Sequence, residues 1–372
     1  MQNSRRNFLG GTAGVVAGIA FTGCSAVLPP PPKEWRPGPG DMPEYHLPVV
    51  VGGKRVKTID VHAHCYVPEV LALIGVAPND MGSQLRGKRE HIIVVADRLA
   101  AMDYMGIDME VLSVNPFWYR YDRARSAAVC QLQNDKLAEL CRANPERFGA
   151  FASISLQFPD LAVQELEYAM KTLGLRGAAI GASVNGTEFA DPRFHPVWAK
   201  AEELGAVLII HPQQTPELGK RLKGNGWMAN VVGNPLDTTI ALQHLIYQGT
   251  LDKFPQLKIC ACHGGGFLGS YAPRMDFSCY VSPVNCDPNI VLKKKPSEYL
   301  HQIYFDALVF TPEALRHLVA EVGAGQVVLG TDYPIPWELH PVDHVMNTPT
   351  LSDADRAAIL GGNAARMFGM QG

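Results

Sequence analysis

The segment "TIDVHAH", residues 58–64, decides how the rest of the chain is read. Ile59, Val61 and Ala63 alternate with Asp60, His62 and His64, the two-residue period of a strand, so the three polar groups share one face. Burying such groups is costly unless they hold protons, partners or a metal. Strands whose C-terminal ends carry them are what a (β/α)8 barrel uses to build the mouth where its chemistry sits.

Seven further β-rich runs follow: "IDMEVLSV" (107–114), "FGAFASIS" (148–155), "RGAAIGAS" (176–183), "AVLIIHP" (206–212), "LKICACH" (257–263), "IYFDAL" (303–308) and "QVVLGTD" (326–332). Helical patterns lie between them, such as "SAAVCQLQNDKLAELCRAN" (126–144), "NPLDTTIALQHLIYQG" (234–249) and "TPEALRHLVAEVG" (311–323). Strands alternating with helices imply a parallel sheet, and eight strands imply an α/β fold of the (β/α)8 TIM-barrel type over residues 54–372. A doubly wound sheet is the rival, but it needs a Gly-rich phosphate turn after the first strand, and "TIDVHAHC" has none. Residues 66–96 are too long for a βα loop and are expected to form a small cap over the mouth.

The first 32 residues read as an export signal. "SRRNFLG" (4–10) holds the twin arginines Arg5 and Arg6, a short apolar Gly/Ala-rich stretch follows, and "PPPP" closes it. Residues 33–53 then form an extended tether. The expected destination is the periplasm or a membrane surface, reached through the twin-arginine machinery. Cys24 in "FTGC" leaves two outcomes, lipidation as an anchor or simple cleavage nearby. The eight cysteines have no zinc-ribbon spacing. Cys260 and Cys262 read as small strand residues, while Cys279 and Cys286 are a candidate pair in an oxidising compartment. A formal charge of −3 and no basic stripe argue against nucleic acid and for small molecules.

Five ionisable residues fall at strand ends: His62 and His64 on the first, His211 on the fifth, His263 on the sixth and Asp332 on the eighth. One histidine at a strand end is more often structural, but five such groups at one barrel mouth point to a site. His62, His64, His211 and Asp332 form a mixed N/O set suited to one divalent metal, Zn²⁺ being expected, with a position open for an activated water. His263 is then free to act as acid/base. Asp60 either orients a ring N–H or caps the strand. The fourth strand carries no Lys to bridge a second ion, so one metal is expected.

These motifs, D-x-H-x-H, "HP", "HGGG" and "GTDYP" in this order, resemble the amidohydrolase superfamily and within it the aminocarboxymuconate semialdehyde decarboxylase-like branch. The likeness extends from Thr58 to Phe368 through "FPQLKICACHGGG" and "GGNAARMFG". The resemblance implies His62, His64, His211 and Asp332 as metal ligands and His263 as catalytic acid/base. It also implies a homodimer in which Arg274 reaches a neighbouring subunit's substrate carboxylate, Arg86 as a second substrate arginine and Trp227 as an aromatic wall. Gln213 and Ile335 replace aromatic residues expected in that branch, which implies a differently shaped pocket, more polar near His211. The expected activity is non-oxidative decarboxylation of a small unsaturated or aromatic carboxylic acid. The alternative on the same centre is hydrolysis of a lactone or amide, with Asp332 or His263 taking the proton; an exported binding protein without catalysis is a third.

Overall fold

A computed structural model describes residues 48–76, 95–213 and 216–370. The leader, Cys24 and Arg86 lie outside the described residues.

The runs read as strands form strands, in order: β1 (Ile59–His64), β2 (Met109–Ser113), β3 (Phe148–Ala150, resuming at Ala152–Ser153), β4 (Gly177–Ile180), β5 (Val207–Ile210), β6 (Lys258–Ala261), β7 (Ile303–Asp306) and β8 (Val327–Val328). Each pairs in parallel with the next, β3 bonding β2 through its first part and β4 through its second. The ring closes beyond β8, where Val61 N–H donates to Leu329 O at 3.0 Å and Ala63 bridges in parallel to Tyr333. These contacts bring the first and last strands side by side, and the parallel order sends the C-terminal strand ends to one mouth.

Val61, Val111, Phe151, Ala179, Ile209 and Val328 belong to one buried cluster, which Ala364 and Met367 of the last helix join. Cys260 and Cys262 are fully buried members of it, as small strand residues. The helix Arg123–Ala143 shows how the outer ring docks. Asp122 caps it by accepting from Arg125 N at 2.9 Å. Its buried stripe sets Gln133 and Asn134 against β3, where Gln133 Nε2 donates to Ser153 Oγ at 2.7 Å and Asn134 Nδ2 to Ser153 O at 2.9 Å.

One boundary differs from the sequence reading. Residues 50–53, taken as the end of an extended tether, belong to a hairpin in which Val50–Val51 pairs antiparallel with Lys54–Arg55. Gly52 and Gly53, both at positive φ, make its tight turn. The insertion after β1 begins with a helix, Pro68–Ile74, and ends at the helix Val95–Met105.

Glu165 gives the barrel wall a pH dependence. Its carboxylate accepts from Ser155 N at 2.5 Å and Ser155 Oγ at 2.9 Å, and burial pushes it up to about 7. A folded-state value above the ordinary 4.5 means that folding takes up a proton there. The group therefore costs nothing below about pH 4.5 and destabilises progressively up to about pH 7. Glu165→Gln is expected to flatten that decline in urea midpoints measured from about pH 5 to about pH 8; an unchanged slope would assign it elsewhere.

A candidate metal centre and the cavity beside it

His62 and His64 leave β1 two residues apart, and their Nε2 atoms stand 3.1 Å from each other. Asp332 Oδ1 lies 3.3 Å from the first and 2.8 Å from the second. The His211 ring completes the group, centred 4.5 Å from that of His64 and 5.2 Å from that of His62. One donor atom from each of the four lies within 4.8 Å of every other. Buried Asp332 Oδ1 and His211 Nδ1 have no hydrogen-bond partner. Nitrogens facing one another around a carboxylate oxygen suit a cation, and three imidazoles with one carboxylate fit a divalent ion.

The backbone is shaped to make this convergence. Asp332 holds a positive φ of 61° and donates its N–H to His62 O at 2.7 Å; His263 holds a φ of 57°. Such conformations cost free energy in non-glycine residues and collect at functional sites. Gly330 is what lets β8 approach, because a Cβ there would stand 2.7 Å from Asp306 Cβ and 3.0 Å from His62 Cβ. Gly266 acts likewise in "HGGG": its Cβ would stand 2.0 Å from Pro235 O, so only glycine lets this loop pack on the helix Asn234–Tyr247.

His263 joins the cluster from β6. Its ring is centred 5.2 Å from those of both His62 and His211, and its Nε2 lies 3.7 Å from Asp332 Oδ2. Its Nδ1 is buried without a hydrogen-bond partner. The five residues read from strand ends are therefore brought together.

Asp306, at the end of β7, is the residue that reading missed. Its Oδ2 accepts from His62 Nδ1 at 2.6 Å and from His263 N at 2.9 Å, and its Oδ1 from Gly264 N at 2.8 Å. A proton held on Nδ1 leaves the Nε2 lone pair of His62 facing the centre, the usual way a carboxylate orients a ligating imidazole. The signal was available, since Asp306 is the lone charge in "IYFDALVF". His64 is oriented similarly by Ser113 Oγ, 3.0 Å from its Nδ1. Of the two roles offered for Asp60, the structure selects the cap. It accepts from His62 N at 2.9 Å and Thr331 Oγ1 at 2.6 Å, tying β1 to the segment after β8, and bonds no ring nitrogen. Behind it, buried Arg98 pairs with Glu110 at 2.6 Å, reaches the His64 carbonyl and lies over the Tyr333 ring.

Electrostatics divide the imidazoles. Burial, then the neighbouring rings of His64, His263 and His62, push His211 well below its ordinary value, so it stays neutral with a lone pair to give. Burial acts the same way on His62 but is outweighed by Cys262, Asp332 and Asp306, which raise it. Burial alone would raise Asp332, yet the histidines around it hold it well below the usual carboxylate range. Protons compete with a metal for such donors, so affinity at this cluster is expected to fall as the pH is lowered.

A cavity of about 510 Å³ adjoins His263, walled by Phe267, Leu308, Val309, Phe310 and Trp337. Among the described residues no Lys or Arg lines it. Trp227 stacks on Trp337 with centroids 5.6 Å apart and planes 15° from parallel, so it sits behind a cavity wall. Arg274 is exposed on the helix Leu268–Met275. Gln213 does not stand free near His211: its amide donates to Pro116 O, and its backbone N–H to Asp237 Oδ2 at 3.1 Å. Cys279 and Cys286, the candidate pair for an oxidising compartment, form a disulfide.

The amidohydrolase family model matches residues 59–370. A 2-amino-3-carboxymuconate-6-semialdehyde decarboxylase from Dictyostelium discoideum is 33% identical over 276 residues, covering 73% of this chain and 76% of that one. A gamma-resorcylate decarboxylase from Rhizobium radiobacter is 28% identical over 331 residues, covering 84% and 98%. The structure of 5-carboxyvanillate decarboxylase from Sphingomonas paucimobilis superposes with a TM-score of 0.76 at 26% identity, covering 85% of this chain and 100% of that one. A dihydroxybenzoic acid decarboxylase from Polaromonas sp. JS666, solved with bound manganese and the inhibitor 2-nitroresorcinol, superposes at 0.73 with 27% identity, covering 84% and 97%. A barrel of this topology, with a three-histidine, one-aspartate centre at its mouth, thus belongs to the amidohydrolase family, in the branch that contains these decarboxylases.

Proposed function

We propose that the protein is a metal-dependent, non-oxidative decarboxylase of a small aromatic or unsaturated carboxylic acid. One observation carries the reading: His263 touches both the ligand cluster, through Asp332, and an apolar cavity walled by Phe267, Phe310 and Trp337. A planar acid in that cavity has its ring against aromatic walls and its reacting carbon beside an imidazole. The relatives act on such acids, 2,6-dihydroxybenzoate being bound in one of their structures.

His62, His64, His211 and Asp332 would hold a divalent ion, and the chemistry it would supply is positive charge beside the departing carboxylate. Zn²⁺ suits this donor set. The carbon–carboxylate bond breaks with its electron pair left on carbon, CO₂ departs, and that carbon takes a proton from His263 Nε2. Asp332, kept ionised by the surrounding histidines, stands 3.7 Å from His263 Nε2 through its Oδ2. Apolar walls exclude water from the carbanion-like centre. Arg274 of a second copy completes the carboxylate site, Arg86 is a further candidate, and Trp227 supports the wall through Trp337. The twin-arginine motif at Arg5 and Arg6 supports export, with Cys24 as a potential lipid anchor, and the Cys279–Cys286 disulfide is in keeping with an oxidising compartment.

The test is a product assay on metal-loaded protein, using 2,6-dihydroxybenzoate, 2-hydroxybenzoate and a set of lactones. CO₂ release that falls at least about 10³-fold after chelation, and returns with Zn²⁺ or Mn²⁺, is the expected result. New carboxylate from a lactone without CO₂ would replace this reading by hydrolysis.

A further inference from the structure

In the cavity beside His263 stands an amide oxygen with nothing to bond. Asn234 is 8% exposed and lines the cavity, and its Oδ1 has no hydrogen-bond partner. Buried polar atoms are nearly always paired, because a bond left unmade costs the full desolvation of the group. The other polar side chains of the lining are accounted for differently. Ser270 Oγ and His317 Nε2 lie 3.2 Å apart and bond each other, His263 belongs to the cluster at the mouth, and Asn230 is half-buried.

The local fold gives this oxygen no duty. Asn234 opens the helix Asn234–Tyr247, directly after the widened turn Ala229–Gly233. Turns of that kind gather at functional sites. An asparagine at a helix start ordinarily turns its oxygen back onto a backbone N–H, and Oδ1 here accepts from none. The glycine loop after β6 has its own fastening to this helix, since Thr239 Oγ1 accepts from Phe267 N at 2.8 Å.

We propose that Asn234 is a specificity residue: its Oδ1 accepts a hydrogen bond from a hydroxyl or amino group on the substrate, and so selects acids that carry such a donor over their unsubstituted parents and their methyl ethers. The proposal rests on the decarboxylase reading for the acid itself and adds what else that acid carries. A carboxamide oxygen only accepts, so its partner must donate. Oδ1 and His263 Nδ1 are both without partners and hence do not bond each other. A ring whose reacting carbon lies at His263 therefore meets Asn234 with a different atom. Asn234 is also outside the four residues whose donor atoms converge, so the group it reads is separate from any held by an ion there. A second carboxylate is a poor occupant, because it would set negative charge against this oxygen where the described lining has neither Lys nor Arg. Apolar walls such as Leu308, Val309 and Phe310 tell similar rings apart weakly. A buried acceptor discriminates more sharply, because an analogue without the donor leaves it unpaired.

The experiment is titration calorimetry on the metal-loaded protein with ligands that cannot react. The probes are 2-nitrophenol, whose nitro group stands in for the carboxylate, its isomers with one added ring hydroxyl, and the methyl ethers of those added hydroxyls. In the wild type at least one added hydroxyl should tighten Kd by about tenfold or more, and methylating it should abolish the gain. Asn234→Leu should lose the gain, and Asn234→Asp, which keeps an acceptor oxygen in the same shape, should retain it. Metal content and melting temperature are measured for each variant. The proposal is overturned when no added hydroxyl tightens binding, when a methyl ether binds as tightly as its free hydroxyl, or when the gain survives in Asn234→Leu. The methyl-ether comparison uses wild-type protein alone and holds whether or not the leucine variant folds. The product assay separates the two readings: a hydroxyl-dependent gain without CO₂ release from any acid sinks the decarboxylase reading alone, and CO₂ release without the gain sinks this inference alone.

Discussion

His263→Ala is expected to lower CO₂ release by about 10²- to 10⁴-fold, the range for removing a positioned acid or base, while the protein keeps about one metal per chain. The two readouts must be taken together. His263 stands 3.7 Å from Asp332 yet is outside the set of four whose donor atoms converge, so its imidazole should not be needed for the ion to bind. Elemental analysis checks the metal, and kcat with the best acid of the panel checks the proton. A variant that retains activity removes His263 from the proton transfer. A variant that loses the metal makes the residue a ligand instead.

The second large effect is expected at Asp306. Replacing this fully buried carboxylate by alanine strands the His62 Nδ1 proton and the N–H groups of His263, Gly264 and Leu308, all of which donate to it. Removing one partner from a buried charged network costs about 3–5 kcal/mol, and losing the carboxylate behind a ligating histidine weakens metal binding by about 10- to 100-fold. Urea unfolding of chelated protein isolates the first effect; competition with a chromophoric chelator isolates the second. Wild-type metal affinity in a folded Asp306→Ala protein would show that His62 keeps its orientation unaided, and the assignment of Asp306 would fall.

Asp306 also marks where the sequence stops being informative. His62, His64, His211, His263 and Asp332 were legible because each closes a recognisable β run, and a parallel barrel sends all such ends to one mouth whatever the loops between them do. A single aspartate in "IYFDALVF" carries no such constraint: it reads equally as a cap, a buried pair or an orienting group. Its partner His62 is 244 residues away, and only ring closure sets them 2.6 Å apart. Asp60 makes the converse point. Its place on the same face as His62 and His64 hinted at a ring contact. The gap to Thr331 is 271 residues, and tertiary packing made Asp60 a clamp between the first strand and the last segment of the barrel.

The sequence by itself determined the alternation of strands and helices, the motifs that carry the family and the four residues whose donor atoms converge, because periodicity, motif and strand-end position are local properties of the chain. Only the tertiary structure decided which carboxylate orients His62, that Gln213 is spent on Pro116 rather than on the site, and that residues 277–291 present their apolar side chains to solvent. Those outcomes depend on which distant groups the closed barrel brings within bonding reach, and on which surfaces it has no room to cover.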